Sequence, residues 1–75
     1  MRDVPIRDDI IRLGQLLKVA GLVGSGGEVK ALLEAGLVLV NGEAEARRGR
    51  QLRDGDVVVV GSDEVRVVAS PTSAA

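Results

Sequence analysis

Residues 12–42 read RLGQLLKVAGLVGSGGEVKALLEAGLVLVNG, and this stretch decides the fold because it holds two helix starts, two glycine stops and a hairpin turn. Leu13, Leu16, Leu17 and Ala20 recur at i, i+3, i+4 and i+7, the spacing that lines one face of a helix, and Gly21 stands where a left-handed residue ends one. Ser25 and Glu28 make the S-x-x-E pattern, in which hydroxyl and carboxylate reciprocally cap backbone amides. Val29, Leu32 and Leu33 then supply the apolar stripe of a second helix, which stops at Gly36. Only a few residues join the two helices, so they must turn sharply and pack on one another.

After Gly36 the period changes. Residues 37–40 are a short apolar run of strand formers, and Asn41-Gly42 is a strong hairpin signal because both positions tolerate positive φ. A return strand is expected over 43–46, a basic, glycine-broken loop over 47–53, a turn at Asp54-Gly55, a buried strand over 56–60, a turn over 61–63 and a last strand over 64–68. Residues 4–11 are ambiguous, with Ile10 and Ile11 able to join a sheet edge. The expected class is α+β: two short packed helices followed by a small antiparallel sheet of three to five strands. Residues 1–9 read as an N-terminal extension, 10–69 as the domain and 70–75 as a disordered tail.

At 75 residues the chain is one domain near the lower size limit, able to bury only about 60 % of its unfolded surface. A deep substrate cavity does not fit that size. Cysteine and histidine are absent, which removes disulfides, thiolate metal sites, the usual general base near neutral pH and the commonest metal ligand. No cofactor and no metal are expected, and neither is a small-molecule substrate. Phe, Trp and Tyr are also missing, so base stacking of the kind used by single-strand binders is excluded. No apolar run is long enough to span a bilayer, and the start, MRDVPIRDD, is acidic where a secretory signal is basic then apolar. A soluble, monomeric, cytoplasmic protein is expected.

The formal net charge is −1, but its distribution is uneven. Over residues 12–53, Arg12, Lys18, Lys30, Arg47, Arg48, Arg50 and Arg53 stand against Glu28, Glu34, Glu43 and Glu45, seven against four, while both flanks are net acidic. An anionic partner would meet the middle.

The order helix, helix, hairpin, basic loop, hairpin carries a signature. Arg12-Leu13, Leu16-Leu17, the Gly21 stop, Ser25, Leu32-Leu33-x-x-Gly36, Val38-x-Val40-Asn41-Gly42 and Gly55-Asp56-Val57 resemble the RNA-binding domain first defined in ribosomal protein S-four, the alpha-L motif. The resemblance spans roughly residues 10–60. It is greatest to the short stand-alone bacterial members, whose pattern includes a similar LGQ-L-K-x-x-G-x-x-x-S-G-G-x-A/V-K run and an R-R-x-R cluster after V-N-G. It implies a non-enzymatic protein of translation that binds structured RNA, ribosomal or transfer RNA, on a concave basic face made by the two helices and the hairpin loop.

The expected RNA-binding residues are Arg12, Lys18, Ser25, Gly26, Gly27, Lys30, Arg47, Arg48, Arg50 and Arg53. Lys18 and Lys30 lie off the apolar stripes and can reach a phosphate; Lys18 can equally offset a helix dipole, and Lys30 can pair with Glu34. The arginines sit within seven positions with no acid among them, so a partner is expected to relieve their repulsion. Guanidinium forks grip phosphate oxygens with paired hydrogen bonds, and Gly49 lets neighbouring forks follow an irregular backbone. A solvated loop is the plainer alternative. The chain departs from the family at two places: Gly26 and Gly27 follow Ser25 where many members carry a basic residue, and Gly14 stands where aspartate is frequent. Glycines at a helix start expose N–H groups to a phosphate, or merely begin the helix.

Other chemistries find little footing. Asp8-Asp9 and Asp63-Glu64 lack a nucleophile or base, and the run from Gly24 to Gly27 lacks the lysine of a nucleotide-binding loop. The alternative function is a protein-interaction adaptor using the valine-rich strands, residues 57–60 and 65–68.

Overall fold

Both helices end as their glycines dictate. The computed structural model describes residues 1–69, with helices α1 (Leu13–Val19) and α2 (Gly26–Glu34). Gly21 has φ 75° and Gly36 φ 71°. At the first stop, the Gly21 amide donates to the Lys18 carbonyl at 3.0 Å and Leu22 to Leu17 at 2.9 Å; at the second, Gly36 donates to Leu33 and Leu37 to Leu32, both at 3.1 Å. This paired bonding occupies carbonyls that the last turn leaves open. Leu13, Leu16 and Leu17 of α1 are buried in one cluster with Val29 and Leu33 of α2, so both helices turn their apolar faces into a common core.

Seven strands complete the chain: β1 (Arg2–Ile6), β2 (Ile10–Arg12), β3 (Val38–Val40), β4 (Glu43–Ala44), β5 (Gln51–Arg53), β6 (Val57–Val60) and β7 (Asp63–Ala69). Five form a sheet in the order β1-β7-β6-β3-β4, and β2 pairs with β5 in a separate two-stranded ribbon. The hairpin between β3 and β4 turns on Asn41 (φ 51°) and Gly42 (φ 87°), as that dipeptide favours. The Asn41 side chain also donates to Asp56 Oδ1 at 3.1 Å and accepts from the Val57 amide at 3.0 Å, fastening the turn to the start of β6.

The α+β class holds, with three differences of detail. The sheet is mixed, because β1 runs parallel to β7, Arg2 beside Val65 through Ile6 beside Ala69. The residues read as an extension therefore supply an edge strand whose Val4 and Ile6 are buried; Pro5 between them lacks an amide donor, which an edge tolerates. Ile10 and Ile11 do pair, but with Arg53 and Leu52 of β5, so part of the expected 47–53 loop is a strand. The tail at 70–75 lies outside the described residues.

The valines of β6 and β7 divide between two faces. Val58, Val65 and Val67 are in the core cluster, whereas Val57, Val59 and Val68 are half-buried. Most of the adaptor reading's apolar surface is thus spent on packing. Among the described residues, no helix is long and apolar enough to cross a membrane.

Candidate nucleic-acid interface

Helix α1 starts without a side-chain cap. Arg12 occupies the cap position in an extended conformation, and the first helical amides look elsewhere for acceptors. Leu13 donates to the Arg50 carbonyl at 2.8 Å and Gly14 to the Arg48 carbonyl at 2.9 Å. The basic loop is therefore fastened to the helix by its backbone rather than by its side chains. The pairing of Arg12 with Gln51 continues the same junction. A Cβ on Gly14 would lie at ordinary contact distance, 3.5 Å, from Arg48 Cβ, Arg48 O and Val29 Cγ1, which shows how closely loop, α1 and α2 converge there.

Where they converge a groove opens, lined by Arg12, Gln15, Lys18, Gly26, Arg48 and Gly49 around the floor of Gly14 and Val29. Arg12, Lys18 and Arg48 are exposed, and among the described residues none of them takes part in an ion pair. Three cations without carboxylate partners on one concave surface raise the local positive potential and favour an anion. Gln15 joins them although its residue type gives no hint of a site. Its spacing is its signal: Arg12, Gln15 and Lys18 recur every three residues, along one side of α1 away from the leucines.

The arginine cluster is less uniform than its sequence suggests. Its repulsion does find local relief, contrary to expectation, from Glu45, just upstream and only 8 % exposed. Glu45 Oε2 accepts from the Arg47 amide at 3.0 Å and from Arg47 Nε at 3.2 Å, and Oε1 accepts from Arg50 Nη1 at 3.0 Å. The chain bends back after β4, which brings the carboxylate under the loop it precedes. The Arg47 side chain, then the Arg47 amide, then Arg50 hold the Glu45 carboxyl down to about 2, and the hydrogen bond to Glu45, then its charge, raises the Arg47 guanidinium. The Arg47 side chain is still 77 % exposed, against 33 % for Arg50. Together with Gly49 and Gln51 these two arginines line a second, shallower concavity.

The remaining expected residues scatter. Ser25 Oγ accepts from the Glu28 amide at 3.3 Å, so the hydroxyl caps α2; among the described residues the reciprocal bond from Glu28 does not form. Gly26 lies in the groove, where a Cβ would approach Lys18 Nζ at 3.9 Å. Gly27 is exposed beside it, and Lys30 is exposed on α2 without forming the ion pair to Glu34. Arg53 sits on β5 opposite Ile10. Gly27, Lys30 and Arg53 are not part of the groove lining.

The sequence profile of the S4 domain matches residues 4–68. The chain belongs to the S4 domain family. The match begins in β1 and ends in β7, so the S4 domain includes part of the segment set apart as an extension. A curated relative, described as the probable ribosome maturation protein RlbA of Bacillus subtilis (strain 168), is 47 % identical over 57 residues, which covers 76 % of this chain and 80 % of the relative.

Proposed function

We propose that this S4 domain is a non-enzymatic RNA-binding protein that grips the phosphate backbone of a folded RNA, ribosomal RNA by preference, in the groove between α1, α2 and the basic loop. The observation that carries the reading is the convergence on one concave surface of Arg12, Lys18 and Arg48, none of them ion-paired among the described residues. Arg48 offers a planar fork suited to two phosphate oxygens, and Lys18 a compact charge. With no aromatic side chain available, shape and phosphate contact, rather than base stacking, carry the recognition. The kinship to a protein named for ribosome maturation supports a ribosomal RNA or an assembling ribosomal particle as the target.

So few phosphate contacts give weak, salt-sensitive binding when acting alone. The expected outcome for the Arg12→Ala/Lys18→Ala/Arg48→Ala variant is lower affinity for ribosomal RNA and a slope of log affinity against log salt shallower by about 0.7–0.9 per lost phosphate contact. Co-sedimentation with ribosomal particles across a salt series reads both effects. An unchanged slope would sink the proposal.

A further inference from the structure

The chain has ten glycines, and backbone conformation or a tight approach accounts for six of them. Gly21, Gly36, Gly42, Gly55 and Gly61 have positive φ, which L side chains seldom adopt. A Cβ on Gly24 would come within 3.2 Å of Glu28 Oε1, while one on Gly14, Gly26 or Gly27 would make ordinary contact at 3.5–3.9 Å with neighbouring atoms. Gly49 differs from all of these: among the described residues it alone combines an ordinary φ with open space, since a Cβ added there would have nothing within 4 Å. It lies in a turn closed by the Arg50 amide donating to the Arg47 carbonyl at 3.2 Å, a turn any residue could fill. The chain itself gives no reason for a missing side chain there, and glycine costs conformational entropy on folding.

Its place supplies the reason. Gly49 is the one residue shared by the two concavities: the groove with Arg12, Lys18 and Arg48, and the shallower hollow with Arg47, Arg50 and Gln51. It forms the saddle between them. We infer that the RNA backbone crosses the loop over Gly49, running from the α1–α2 groove into the Arg47/Arg50 hollow, and that glycine is there so that the strand can lie directly on the loop's main chain. The crossing gives the two arginine settings separate duties. Arg48 meets the backbone before the saddle, and Arg47, oriented by Glu45 but largely exposed, meets it after. The basic residues thereby form one continuous track.

This inference rests on the RNA-binding reading, and the test separates the two. Binding to deproteinised bulk ribosomal RNA is measured for the parent, Gly49→Ala, Gly49→Val, Arg47→Ala, Arg47→Ala/Gly49→Val and the triple variant lacking Arg12, Lys18 and Arg48, with thermal melting of each. Gly49→Ala should melt at or above the parent temperature, because it restricts only the unfolded chain. Gly49→Val should bind roughly tenfold more weakly, as expected for losing a charge-assisted contact. In the Arg47→Ala background the valine should cost less, since a contact beyond the saddle is already gone. Parent-like binding by Gly49→Val, or full additivity with Arg47→Ala, alongside loss of binding in the triple variant, would overturn the crossing and leave the groove standing. A parent that does not bind would overturn both.

Discussion

Arg47 and Arg48 are neighbours in the chain, yet they live in opposite electrostatic settings. Arg47 is hydrogen-bonded to a nearly buried carboxylate, whereas Arg48 has no ion-pair partner among the described residues and faces the groove. The difference teaches that a run of like charges is not a single unit. Part of it is tied to a carboxylate and part of it stands exposed without an ion-pair partner among the described residues, and one turn of backbone is enough to sort them.

The contrast depends on the loop staying fastened to α1, so the largest effect is expected from prying it off. Gly14→Val would press a branched side chain against Arg48 and Val29, and overpacking of that kind costs about 1–3 kcal/mol. Denaturant unfolding should show that loss together with weaker RNA binding; parent-like stability would mean the junction is looser than its hydrogen bonds imply. Next comes the pair itself. Arg48→Ala should weaken RNA binding about tenfold while leaving stability within about 0.5 kcal/mol. Arg47→Ala should do less to binding and more to the melting temperature, because Glu45 loses its main partner. Equal effects of the two substitutions on both readouts would erase the distinction.

The smallest effect is a matter of pH. The Glu45 carboxyl is lowered in the folded chain from 4.5 to about 2. A depressed carboxyl stabilises the fold fully above its unfolded value and ceases to as pH falls through the folded value. The contribution should therefore be intact above pH 4.5 and fade between there and about 2, and Glu45→Gln should remove that part of the acid dependence of unfolding. The same variant frees both arginines from a negative charge and should raise RNA affinity on the order of threefold. Reduced affinity would instead make Glu45's orientation of Arg47 the stronger influence.

Features fixed by near neighbours are legible in the sequence. The leucine spacing, the two glycine stops, the Ser25 cap and the Asn41-Gly42 turn each depend on residues a few positions apart, and each is found in place. What escapes such a reading depends on distant partners. Val4 and Ile6 alternate around Pro5 too briefly to announce a strand, and their partner strand comes near the other end of the domain. Glu45 is the exception, since Arg47 and Arg50 are only two and five residues on, yet it reads as one acid among several because no regular helix or strand spacing links it to them. Lys30 and Arg53 join the expected site by charge alone, and the fold places them outside the groove. Gln15 carries no charge and so draws no notice.

The parallel pairing of β1 with β7 also sets an order of events in time. Asp3 and Arg66, joined by a hydrogen bond across it, are 63 residues apart. At ordinary rates of chain synthesis that separation corresponds to roughly 3–13 s. Within this domain β1 is made before the other strands and is thus among the last to find its neighbour, while the helices and the Asn41-Gly42 hairpin can form from local contacts alone. Closing the sheet is the step that reports a finished domain.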